Sequence, residues 1–165
     1  FSLMKEYDGF WSKNQRQQKA DSLGLTREQV ITVASIVDEE TNYTPEMNTI
    51  AGVYINRLKK GMLLQADPTV KFAIGDPTIR RILNKHLTFD SPYNTYKYQG
   101  LPPGPIALPS IEAIDAVLNR ANTPYLYFCA KADFSGAHAF AVTKEEHEKN
   151  AKLYQAALNK RNIKK

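Results

Sequence analysis

At 165 residues, 42% of them hydrophobic, the chain is long enough for one domain with a real core and too short for two full ones. Its formal charge of +5 suits an anionic partner such as nucleic acid, a membrane surface or a cell-wall polymer, and selects none of them. No run approaches the roughly 18 to 20 apolar residues of a membrane span and no signal-peptide pattern opens the chain, so the domain itself is expected to be soluble.

The first residue is Phe1 rather than Met, and Phe1 to Phe10 already carries apolar residues, so the chain is expected to begin inside a longer protein. The clearest helix runs from Thr26 to Thr41. Thr26-Arg27-Glu28-Gln29 fits a capping box, and Val30, Val33, Ala34 and Val37 follow at helical spacing. A second helix begins at Thr44-Pro45, carries Met47, Ile50, Ala51, Tyr54 and Leu58 on one face, and stops at Gly61. Asp67-Pro68-Thr69 and Asp76-Pro77-Thr78 both read as helix or turn starts, with Asp as N-cap and Pro at the first helical position.

From Asp90 to Ser110 the proline-rich runs Ser91 to Tyr96 and Gly100 to Pro105 rule out a regular helix, and a long stiff loop of this kind is often functional. Ser110 then caps a helix bearing Ile111, Ile114, Val117 and Leu118. Tyr125 to Ala130 and Ala137 to Val142 read as a β-hairpin, and Thr143-Lys144-Glu145-Glu146 as a capping box opening a terminal helix to about Asn162. The sum is an α-rich α+β domain. Basic residues gather at Lys160, Arg161, Lys164 and Lys165, where a solvated tail is the plain reading.

Three histidines, His86, His138 and His147, and the single Cys129 carry no zinc-site spacing, and the glycines form no phosphate-binding loop, so neither metal nor cofactor is expected. Cys129 lies in the apolar run Tyr125 to Ala130, which suits a buried inert thiol. There is no Gly-x-Ser-x-Gly elbow for a serine nucleophile.

What remains is Asp38-Glu39-Glu40 at the end of the first clear helix. At about 100° per residue, Glu39 points away from the apolar stripe and Asp38 lies at its flank. Glu40 continues the line through Val33, Ile36 and Val37. A carboxyl held against apolar groups at the negative end of a helix dipole has its charged form disfavoured, as a general acid near neutrality requires. The same trio also reads as a solvated charge run. A second set, Gln65, Asp67, Thr69, Tyr93, Asn94, Thr95, Tyr96 and Tyr98, offers the aromatic faces, amides and hydroxyls of a sugar site. These residues read equally as an N-cap, turn residues and core tyrosines.

Taken together, Leu25-Thr26, Ala34 to Thr41, Val53-Tyr54-Ile55-Asn56-Arg57-Leu58 and Leu64-Gln65-Ala66-Asp67-Pro68-Thr69-Val70 resemble the endolytic murein transglycosylases, the MltG or YceG-like family. The resemblance continues through Tyr93-Asn94-Thr95-Tyr96, Gly100 to Ile106, Thr123 to Phe128 and His138-Ala139-Phe140, in order and over nearly the whole chain. It implies an α-rich, lysozyme-like transglycosylase domain over residues 1–165, preceded in the whole protein by a membrane helix and a LysM-like region. The enzyme it implies is held by that helix in the inner (plasma) membrane as a single-pass protein, facing the periplasm or cell-wall side.

The implied substrate is the N-acetylglucosamine and N-acetylmuramic acid strand of nascent peptidoglycan, cut internally without hydrolysis to leave a 1,6-anhydro-muramoyl end. Peptidoglycan synthases and division or elongation proteins are the implied neighbours, with no nucleic acid. The family's glutamate falls on Glu40. Asp38 stands where many relatives carry Glu, which speaks against Asp38 as the acid. Asn56, Gln65, Asp67, Thr69, Tyr93, Asn94, Thr95 and Tyr96 are the expected substrate-positioning residues, with Gly100 to Ile106 shaping one wall. A hydrolytic muramidase using Glu40 with a water activated by Asp67 or another acid, and a glycan-binding scaffold module, are the competing readings.

Overall fold

The computed structural model describes residues 2–163; Phe1, Lys164 and Lys165 of the sequence reading lie outside the described residues. Helix α3, Arg27–Glu40, is the central element. Thr26 Oγ1 accepts from Gln29 N and Gln29 Oε1 accepts from Thr26 N, the reciprocal pair that its capping box predicts. Val30, Val33, Ala34, Ile36 and Val37 are fully buried, so one side of α3 belongs to the core almost to its end.

A short 3-10 turn, Thr44–Glu46, leads into α4, Met47–Lys60, which ends at Gly61 with φ of 70°. That left-handed cap favours glycine and stops the helix where the sequence places its end. Helix α6, Ile111–Leu118, packs on both α3 and α4, and Ser110 Oγ caps it by accepting from Ala113 N. Gly52 lies at a close crossing: a Cβ added there would stand 2.6 Å from the backbone oxygen of Ala121. The hairpin consists of β1, Tyr127–Ala130, and β2, His138–Ala141, paired antiparallel with Phe128 opposite Phe140. Helix α7, Lys144–Ile163, lies against both strands. Thr143 Oγ1 accepts from Glu146 N at its start. An α-rich α+β fold results, as the pattern of elements predicts. Among the described residues, no helix is long and apolar enough to cross a membrane.

Two helices escape the sequence reading. They are α1, Ser2–Ser12, and α2, Arg16–Leu23, broken apart at Asn14 and Gln15, both with positive φ. They are held by Trp11, 1% exposed, and by Arg16, whose guanidinium pairs with Asp115 of α6 at 2.9 Å and reaches the Phe10 carbonyl. Tertiary burial rather than a local signal defines this pair.

The two Asp-Pro-Thr motifs differ from their reading. Helix α5 is Asp67–Ile74, so Asp67 is its first helical residue and Ala66 its cap. Asp76 opens only a turn, its carboxylate accepting from Thr78 N and Oγ1. In the basic tail, the Arg161 guanidinium stands 4.6 Å over the Phe134 ring rather than simply in solvent.

Candidate active site

Glu40 is the last residue of α3, and the helix phase that buries Val33, Ile36 and Val37 carries its side chain to the edge of the core, where it is half-buried. Tyr54, one of the buried residues of α4 at 2% exposure, donates a 2.7 Å hydrogen bond to Glu40 Oε2. Burial pushes the Glu40 carboxyl up to about 7; the Tyr54 hydrogen bond works against this, and repulsion from the Asp67 carboxylate adds to it. A carboxyl placed this way is protonated in a large share of molecules at neutral pH and can both donate and retrieve a proton.

A cleft of about 530 Å³ opens in front of this pair. Its walls come from α4 (Tyr54, Arg57), the segment leading into α5 (Gln65, Asp67), Tyr96, strand β1 and the start of α7. Two further cavities, about 570 and 670 Å³, also reach Glu40. One runs beneath Tyr43 and the hairpin turn; the other runs along Pro68, Phe72, Arg80 and Ile106. Glu40 therefore stands where three hollows meet, an arrangement that admits an extended chain on either side of one proton donor.

The other two acids of the trio have separate roles. Asp38 Oδ2 accepts from Ser110 N at 2.8 Å, fixing the cap of α6 to the end of α3, and Glu39 is exposed. Of the expected positioning residues, the structure brings Gln65, Asp67 and Tyr96 into the cleft with Glu40. Tyr96 donates its hydroxyl to Asp67 Oδ1, so the aspartate is held by a residue 29 positions away rather than capping its own helix. Gln65 has φ of 51° and its N donates to Thr95 O at 3.2 Å, a left-handed conformation that a non-glycine residue keeps at an energetic cost.

The remaining polar residues of that set hold the fold beneath the cleft. Asn94 is fully buried, its amide donating to the Leu87 and Phe89 carbonyls and accepting from Tyr96 N. Thr69 and Thr95 share a 2.8 Å hydroxyl pair, and Thr95 Oγ1 accepts from Ala66 N. Asn56 gives both amide hydrogens to the Thr123 and Tyr125 carbonyls. Tyr93 packs on Phe72 at 4.9 Å, outside the cleft. Of the Gly100 to Ile106 loop, Ile106 lines a cavity at Glu40.

Several residues at the site had no assignment from sequence. Tyr54 reads there as one more core position on α4. A buried tyrosine hydroxyl nevertheless requires a partner, and that requirement was the available signal. His138 lines the cleft as well, its Nδ1 3.0 Å from Glu46 Oε1, with Glu46 also accepting from His138 N. Cys129 is half-buried on the cleft wall rather than sealed in the core, and burial pushes its thiol up, away from the reactive thiolate.

Comparison with known proteins adds four findings. The model of the YceG-like family matches residues 2–153. The chain is 38% identical over 160 residues to an endolytic murein transglycosylase of Bacillus subtilis, covering 97% of this chain and 43% of that protein. It is 35% identical over 133 residues to an endolytic murein transglycosylase of Streptococcus pneumoniae, covering 78% of this chain and 24% of that protein. The crystal structure of a yceG-like protein from Listeria monocytogenes superimposes with a TM-score of 0.78 at 36% identity, over 90% of this chain and 47% of that one. The chain thus spans less than half the length of each of these relatives.

Proposed function

The chain belongs to the YceG-like family, and from that premise we propose that it is the catalytic domain of a peptidoglycan lytic transglycosylase, cutting glycan strands internally with Glu40 as acid and then base. The observation that carries this reading is the half-buried Glu40 carboxyl, bonded by Tyr54, pushed up to about 7 and set at the meeting point of three cavities. Separate cavities reaching the acid from different elements suit cleavage within a strand rather than at its end.

In the reaction, protonated Glu40 gives its proton to the glycosidic oxygen between N-acetylmuramic acid and N-acetylglucosamine as the C1–O bond breaks. The C6 hydroxyl of the muramoyl sugar then closes on C1, and its proton passes to the Glu40 carboxylate. The products are a 1,6-anhydro-muramoyl end and a free 4-hydroxyl, and the acid is restored without consuming water. Asp67, on the same cleft, lies close enough to raise the affinity of Glu40 for its proton, and its negative charge favours the positive charge developing at C1. The domain acts at the outer face of the plasma membrane, held there by a membrane helix elsewhere in the protein, beside the synthases that make the strand.

Asp67 also supplies the one observation favouring a second reading. A second carboxylate in the cleft is what a hydrolytic muramidase would use to activate water. Mass spectrometry of products from uncrosslinked nascent strands separates the two. Anhydro-muramoyl ends from the wild-type chain, lost by at least about 10²-fold in a folded Glu40→Gln variant, are expected. Hydrated reducing ends point to the muramidase, and full activity of Glu40→Gln overturns the assignment of the acid.

A further inference from the structure

The cleft is electrostatically two-ended. Glu40 and Asp67 form the acidic end. One turn further along α4, about 5 Å of helix rise, stands Arg57, with Lys144 and His147 of α7 lining the same cleft. Arg57 is 7% exposed and rigidly held: Nε donates to the Leu126 carbonyl at 2.6 Å, Nη1 to the Leu63 carbonyl at 2.8 Å, and the guanidinium lies 4.9 Å over the Tyr127 ring. Its Nη2 has no acceptor among the described residues. Lys144 has no anionic partner there either, and His147, stacked at 5.1 Å on Tyr127, has its Nδ1 buried without a hydrogen bond. The charge of exposed Glu148 reaches His147, and among the described residues no carboxylate forms an ion pair with any of the three.

A buried arginine whose fork is fixed by two backbone carbonyls, with one nitrogen left without an acceptor, in the wall of a cleft that a lysine also lines, is prepared to receive a planar oxyanion. We propose that Arg57, Lys144 and His147 form a carboxylate subsite, which takes an acid group borne by the muramoyl sugar and so sets the strand's register against Glu40. The inference rests on the glycan-strand reading above. A muramoyl sugar bears its acid either as the lactyl carboxylate itself or, where a peptide is attached, as a carboxylate of that peptide. N-acetylglucosamine bears none, so the subsite distinguishes the two sugars of an otherwise regular backbone.

The test is calorimetric binding in a Glu40→Gln background, which keeps the ligand intact, with peptide-bearing strand oligomers, the same oligomers stripped of peptide, and chito-oligosaccharides as the neutral comparison. Lys144 is exposed, so Lys144→Glu leaves the fold in place; Arg57→Lys, checked by thermal melting, removes the fork and keeps the charge. Each variant is expected to weaken at least one class of acid-bearing oligomer by about five- to tenfold, with chito-oligosaccharide binding within about twofold. Loss confined to peptide-bearing oligomers identifies a peptide carboxylate, and loss on stripped ones the lactyl group. Unchanged binding of both acid-bearing classes, or an equal loss on chito-oligosaccharides, overturns the subsite. Product analysis with the otherwise wild-type chain separates the two layers of inference. Anhydro ends with charge-independent binding remove the subsite alone, charge-dependent binding without anhydro ends removes the transglycosylase reading alone, and no binding of any oligomer removes both.

Discussion

The hydroxyl of Tyr54 donates to Oε2 of Glu40 at 2.7 Å, linking the middle of α4 to the last residue of α3. This bond stabilises the carboxylate and opposes the upward push of burial on Glu40. Tyr54→Phe keeps the edge-on packing against Phe128 and removes only the donor. The Glu40 carboxyl should then titrate higher, moving the alkaline limb of the kcat/KM profile upward, while turnover falls about tenfold because the acid loses its fixed orientation. A pH-rate profile of the variant checks both.

With the Glu40 carboxyl at about 7, the wild-type rate should be flat on the acid side and fall as pH rises through about 7, since only the protonated form donates. Stability follows the same group. Its folded-state pKa is raised above 4.5, so the folded chain binds the extra proton, and the corresponding stability is complete below about 4.5 and is lost as pH rises through about 7. Denaturant titrations at pH 5 and pH 8 should show this difference shrinking in Glu40→Gln.

Asp38 and Glu39 should separate cleanly from Glu40. Asp38→Ala leaves Ser110 N without its acceptor and is expected to cost about 1.5 to 3 kcal/mol of unfolding free energy, with folded protein still turning over. Glu39→Ala, at an exposed site, should stay within about 0.5 kcal/mol. Paired urea melts and product assays distinguish these outcomes from a catalytic role.

Gln65 and Asn94 should respond in opposite ways. Gln65→Gly relieves the left-handed backbone at φ of 51° and should raise stability by up to about 1 kcal/mol, while removing an amide from the cleft and lowering turnover. Asn94→Ala removes two buried hydrogen bonds to carbonyls and should cost about 2 kcal/mol or more, its activity falling only with the folded fraction. Thermal melts run beside single-turnover assays read both effects.

At Gly52 the chain crosses itself too closely for any side chain. Gly52→Ala places a Cβ 2.6 Å from the Ala121 oxygen, and because the obstacle is backbone it should destabilise by about 1 to 3 kcal/mol, measured by chemical denaturation.

Local features were legible in the chain alone. Thr26 and Gln29 start α3, the 3.6-residue period directs Glu40 toward the core edge and Glu39 away from it, and Gly61 stops α4. These follow from a residue's relation to its own helix, which neighbours within a few positions fix. The groups that meet Glu40 were decided by packing. Tyr54 lies 14 residues on, Tyr96 holds Asp67 across 29, and Arg57 converges with Lys144 and His147 from another helix. For the same reason Asn56, Thr69, Asn94 and Thr95, polar residues of the sort a sugar site uses, proved to be committed to backbone and hydroxyl partners. Periodicity states which way a side chain points; only the assembled helices and hairpin determine what stands opposite, because a buried polar group takes whatever partner the packing brings within hydrogen-bond reach.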